Sequence, residues 1–147
     1  MLKLVFFRAF NALYSKVGRL ASEEVVISLL RSKCLPILFY ATEACPLLVR
    51  TKNSLEFSIT RIFMKLFRTG SPLIVKDCQR FFNFLPVKLQ LVSRTANFLR
   101  KFSASENSMC VLFSTHATTQ LCETFIEFNV NSVHQLHNAI HDRFYSD

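Results

Sequence analysis

Arg61, Lys65 and Arg68 stand at i, i+4 and i+7 in "ITRIFMKLFRTG", the spacing that aligns three cations on one helix face. Such a row holds phosphate oxygens by charge and hydrogen bonding, and a solvated face is its plainer reading. Four further cations, Arg31, Lys33, Lys76 and Arg80, are candidates to assist it. His134, His137 and His141 share a face in the same way, where a metal could sit. No H-E-x-x-H or C-x-x-C accompanies them, which favours a partly exposed polar face and no metal site.

Other chemistries are excluded by what is missing. Gly18 and Gly70 are the only glycines, too few to write a dinucleotide or P-loop fingerprint. No G-x-S-x-G is present, and Asp77, Asp142 and Asp147 are each without an adjacent acid, which speaks against two-metal phosphoryl transfer. Cys34, Cys45, Cys78, Cys110 and Cys122 form an odd set without metal-ligand spacing, so they read as small hydrophobes in a reducing compartment. No catalytic residue and no cofactor is expected.

The elements that must position these side chains read as helices throughout. Half the 147 residues are apolar and 16 are Phe. The expectation is an all-α, irregular bundle of about six to eight helices with no sheet. Leu2, Phe6, Phe10, Leu13 and Val17 form a first stripe, with Gly18 as a left-handed stop. Ser22 caps a second helix, begun by Glu23 and Glu24, whose apolar positions Val26, Leu29, Leu30, Cys34, Ile37, Leu38 and Ala41 run past Pro36. A kink or two abutting helices is expected near Leu35, with a stop at Cys45-Pro46. Asn53 or Ser54 caps a third helix striped by Leu55, Ile59, Ile62, Phe63 and Leu66 and ended by Gly70. Ser71-Pro72 opens a fourth, to about Phe82, and Pro86 a fifth, burying Leu91, Val92, Thr95, Phe98, Leu99 and Phe102. Met109 to Phe128 reads as one or two weaker helices, and Asn131 or Ser132 caps the last, to about Phe144.

Charge divides the chain. Residues 1–102 carry 17 Lys/Arg against 5 Asp/Glu, and residues 103–147 carry 1 against 5, with the polar stretch "SASENS" at the change of sign. This gives a basic region 1–102 and an acidic helical segment 103–147, the first attractive to phosphates. The longest uncharged run, Asn107 to Cys122, is 16 residues and rich in Ser, Thr and Asn, so no transmembrane segment is expected. Met1 to Ser22, with Lys3, Arg8, Lys16 and Arg19 and no acid, could be a mitochondrial presequence or a basic amphipathic helix.

"FFRAFNALYSKVGRLASEEVVISLLRSKCLPILFYATEACPLL" and "SLEFSITRIFMKLFRTGSPLIVKDCQRFFNFLPVKLQLVSRTANFLRKF" together resemble the thumb-like region that follows the catalytic palm in reverse transcriptases of LINE-type (non-LTR) retrotransposons. The resemblance covers about residues 6–102 and rests on the order and spacing of "KCLP", "EACPL" and "RIFMKLF". The family's F/Y-x-D-D aspartates have no counterpart here, so the resemblance implies a non-catalytic fragment C-terminal to the palm. It favours the amphipathic-helix reading of the first 22 residues. The implied partner is RNA, DNA or an RNA-DNA hybrid held through phosphates without sequence choice, in an intracellular, cytoplasmic or nuclear setting. The alternative is a helical interaction or structural relic that self-associates through exposed apolar faces.

Overall fold

The computed structural model describes residues 2–18, 20–45 and 47–146; Met1, Arg19, Pro46 and Asp147, with the expectations placed on them, lie outside the described residues. The fold is all-α. The described residues form α1 (Leu2–Val17), α2 (Glu23–Leu29), a π-helical turn (Leu30–Cys34), α3 (Leu35–Leu38), α4 (Val49–Phe67), α5 (Pro72–Phe81), α6 (Val87–Ser103), α7 (Ser108–Phe128) and α8 (Val133–Ser146), with no strand among them. They divide into two compact units, Met1–Ala41 with Leu47–Val87, and Thr42–Pro46 with Lys88–Asp147. "SASENS" therefore falls inside the second unit, as the α6–α7 connection, and the change of unit comes at Val87–Lys88.

The first unit buries Phe6 and Phe10 of α1, Val26 and Ile27 of α2, Leu30 and Cys34 of the π turn, and all five residues of the α4 stripe. Phe6 and Phe10 thus make the first helix part of the core. Around Pro36 the second helix is interrupted, α2 giving way to the π turn and then to α3, which starts at Leu35 as expected. The backbone opens one turn earlier, where Leu35 N–H reaches back five residues to Leu30 O. The wider turn accommodates a proline that cannot donate to Ser32 O and whose ring crowds that carbonyl. Helical structure then runs on to Leu38; Ala41, expected on the same face, lies beyond the helix at φ 58° and is exposed.

Two expectations about helix ends are corrected. Neither glycine has a positive φ. The left-handed residue after α4 is Arg68, φ 51°, and Thr69 N–H closes the motif on Met64 O at 3.0 Å. After α5 the left-handed residue is Asn83, with Phe84 N–H bonded to Gln79 O at 2.7 Å. The third helix also begins earlier than Asn53, at Val49, because Leu48 O accepts from both Thr51 and Lys52. Ser54 is instead inside the helix, where its hydroxyl meets Lys3.

Gly18 has a different task from the one assigned to it. An added Cβ would lie 2.4 Å from Tyr14 Cδ2 and 2.7 Å from Tyr14 O. Only a residue without Cβ lets the Tyr14 ring lie over the end of α1. Gly18→Ala is expected to destabilise the chain by about 1–3 kcal/mol, as overpacking does, read as a lower urea midpoint.

In the second unit, Leu91, Ala96 and Leu99 of α6, Ala117 and Leu121 of α7, and Leu136, Ile140 and Phe144 of α8 are buried. Val92, Thr95, Phe98 and Phe102 are half-buried, not fully inward. Residues 108–128 form one helix, not two, capped by Asn107 Oδ1 accepting from Met109 N–H at 3.0 Å. Ser132 caps α8 by accepting from Gln135 N–H at 3.2 Å, while the Gln135 side chain accepts from Asn131 N–H. Helix α7 is long but buries little: Met109, Val111, Leu112, Phe113 and Ile126 are all exposed.

Candidate functional site

Helices α1 and α4 of the first unit meet through polar side chains along their length. Lys3 Nζ donates to Ser54 Oγ near the start of both, and Lys65 Nζ donates to Asn11 Oδ1 at 2.8 Å further along, so the two helices run in the same direction. Between them lies a groove of about 340 Å³ lined by Phe7, Phe10, Asn11, Arg61, Ile62 and Lys65. Phe10 and Ile62 are buried, Phe7 is half-buried, and Asn11, Arg61 and Lys65 are exposed. The groove thus has an apolar floor and a polar, basic rim.

Each rim residue has a defined support. The Lys65 ammonium sits 5.3 Å from the centroid of the Tyr14 ring, which itself stacks on Phe10 at 5.6 Å and 18°. Gly18 makes the room for that ring. The Arg61 guanidinium lies 6.0 Å over Phe57, at the outer limit of a cation–π contact. The field at the rim has one sign. Helix α1 contains no acid, and the one acid of α4, Glu56, is five residues from Arg61 and so on another face. By unit the imbalance is clearer still: the first carries 13 Lys/Arg against 4 Asp/Glu, the second 5 against 6.

Of the seven cations singled out by spacing, Arg61 and Lys65 come together on this groove. Arg68 is exposed just past the end of α4, in the left-handed cap position. Lys33 is exposed on the π turn, Lys76 is exposed on α5, and Arg80 is half-buried on α5. Arg31 is committed elsewhere. Its Nη2 donates to Phe82 O and, at 2.8 Å, to Asn83 O, and its guanidinium lies 5.3 Å over the Phe84 ring. It thereby satisfies carbonyls at the C-terminal end of α5, where the helix dipole favours a cation.

No protein-family model, curated protein or solved structure matches this chain.

Among the described residues no three His, Cys, Asp or Glu side chains gather as a metal site, and no helix is long and apolar enough to cross a membrane. The three histidines of α8 do not act together. His137 alone is drawn into a polar cluster of the second unit: Asn97 Nδ2 lies 3.2 Å from its Nε2 and also donates to Ser93 O. Its Nδ1 lies 3.0 Å from Ser93 Oγ. This arrangement ties α8 to α6.

Sequence spacing missed Lys3, Phe7, Asn11 and Tyr14. The signal was present as a row at i, i+4, i+8 and i+11 on α1, next to the apolar stripe, but its partners lie some 50 residues away. Helical periodicity within one segment cannot name them.

Proposed function

We propose that the first unit is a non-catalytic nucleic-acid-binding element, related to the thumb-like region of LINE-type retrotransposon reverse transcriptases, which holds phosphates without sequence choice. The observation that carries this reading is the pairing of Arg61 and Lys65 on one groove rim, with no carboxylate on α1 and none on the facing side of α4. The excess of cations in that unit adds a longer-range attraction for a polyanion. The resemblance of residues 6–102 to the thumb-like region, and the absence of F/Y-x-D-D, support the non-catalytic part.

The test is binding of the full chain to a labelled RNA-DNA hybrid across a salt series. Each contacted phosphate contributes a slope of about 0.9 in log K against log salt, taking the duplex DNA value. Arg61→Ala with Lys65→Ala is expected to reduce that slope by up to about two contacts and to weaken binding equally for unrelated sequences. Equal binding by wild type and double variant would defeat the assignment to this rim.

The second reading, a helical interaction relic, has its own observation in α7. Leu112 is 70% and Ile126 78% exposed. Self-association of the chain that persists when salt abolishes nucleic-acid binding would support it.

A further inference from the structure

Resting on the phosphate-binding reading above, we propose that the α1–α4 groove accepts an unstacked base, so that the preferred ligand is single-stranded RNA or DNA and not a duplex. A protein that follows a duplex needs cations on an outward face, because duplex phosphates are on the outside and the bases are paired within. Here the two cations stand on the rim of a concavity with an apolar floor. A volume of about 340 Å³ is at the small end of ligand pockets, suited to one planar ring system. A duplex cannot place a base there without unpairing and unstacking it, whereas a single strand offers unpaired bases at every position.

The groove supplies a partner for each part of a nucleotide. The half-buried Phe7 ring gives an aromatic face, which is sequence-tolerant because every base has a π-face. Asn11 has its amide oxygen held by Lys65, which leaves the amide NH2 as donor to an acceptor on a base edge. Arg61 and Lys65, about 6 Å apart along the helix axis, are placed for the phosphates on either side of the inserted base. Charge complementarity identifies the occupant as an anion, and the aromatic floor identifies it as one with rings.

The experiment compares four probes with the full chain at one salt concentration: a mixed-sequence single-stranded oligonucleotide, the same backbone with abasic sites throughout, an RNA-DNA hybrid of equal length, and vesicles of phosphatidylserine and phosphatidylcholine. The base-bearing single strand is expected to bind about 5–150-fold tighter than the abasic strand, the range for stacking one base. Phe7→Leu, which keeps apolar volume and removes the ring, is expected to shrink that gap, its fold checked by circular dichroism. Equal affinity for base-bearing and abasic strands, or tighter binding of the hybrid, overturns the base pocket and leaves the phosphate reading standing. Binding to none of the nucleic acids overturns both readings, and binding to vesicles alone does so in favour of a lipid surface.

Discussion

Phe63→Ala is expected to remove about 3–5 kcal/mol of stability, enough to abolish the folded first unit if that unit is of ordinary stability. Phe63 is fully buried, and its ring packs edge-on against Phe84 at 4.9 Å and against Phe67 at 5.8 Å. Phe84 in turn lies under Arg31, which holds the carbonyls at the end of α5, and Phe67 touches Phe82 at 5.6 Å. Truncation at residue 63 therefore leaves a cavity and also loosens the turn that follows α5. Phe57, on the same helix, is 61% exposed, so Phe57→Ala should change stability by no more than about 0.5 kcal/mol. Urea unfolding followed by far-ultraviolet circular dichroism separates the two. A shift of similar size for both would mean that α4 does not have the inward and outward faces described.

The inward face of α4 was legible because it is a local property: Leu55, Ile59, Ile62, Phe63 and Leu66 repeat with the helix and all five are buried. The starts of α5 at Ser71-Pro72 and α8 at Ser132 were legible for the same reason, since a proline suits the first helical position of α5 and the Ser132 cap bonds a neighbour in sequence. The ends near Gly18, Phe82 and Phe128 were legible too, but the residues that take the left-handed conformation were not. The left-handed position after α4 falls on Arg68, a residue that adopts it at some cost, while Gly70 two residues on has no need of it. Helix α4 ends where packing ends, and the residue there takes the conformation required. At the site, Arg61 and Lys65 could be paired by spacing alone, but nothing local told Arg31 from them. Its engagement with Phe82 O and Asn83 O is formed across 51 and 52 residues. Long-range partners decide which cations are available to a ligand, and single-sequence periodicity is blind to them.

Cysteine labelling gives an independent measure of the same core. Cys45 and Cys122 are exposed and should react with a maleimide at the rate of a free thiol, while Cys34, 1% exposed in the π turn, should react only when the unit opens. Opening at a typical stability protects by at least about 10³-fold. Burial also pushes the Cys34 thiol pKa up, because the interior disfavours thiolate. Cys78 is raised too, by burial and by the charge of Asp77, and should fall between the extremes. In the unfolded chain the Cys34 thiol ionises near about pH 8.5, below its folded value, so the unfolded state loses its proton first. The stability contributed by the protonated thiol is complete below that pH and declines above it, as pH rises toward the folded value. Phe63→Ala should accelerate Cys34 labelling by about 10²–10⁴-fold, the factor equivalent to the stability it removes, and leave Cys122 unchanged. If Cys34 instead reacted as fast as Cys122 in the wild-type chain, the π turn would not be closed against α1, and the core described for the first unit would be wrong at its centre.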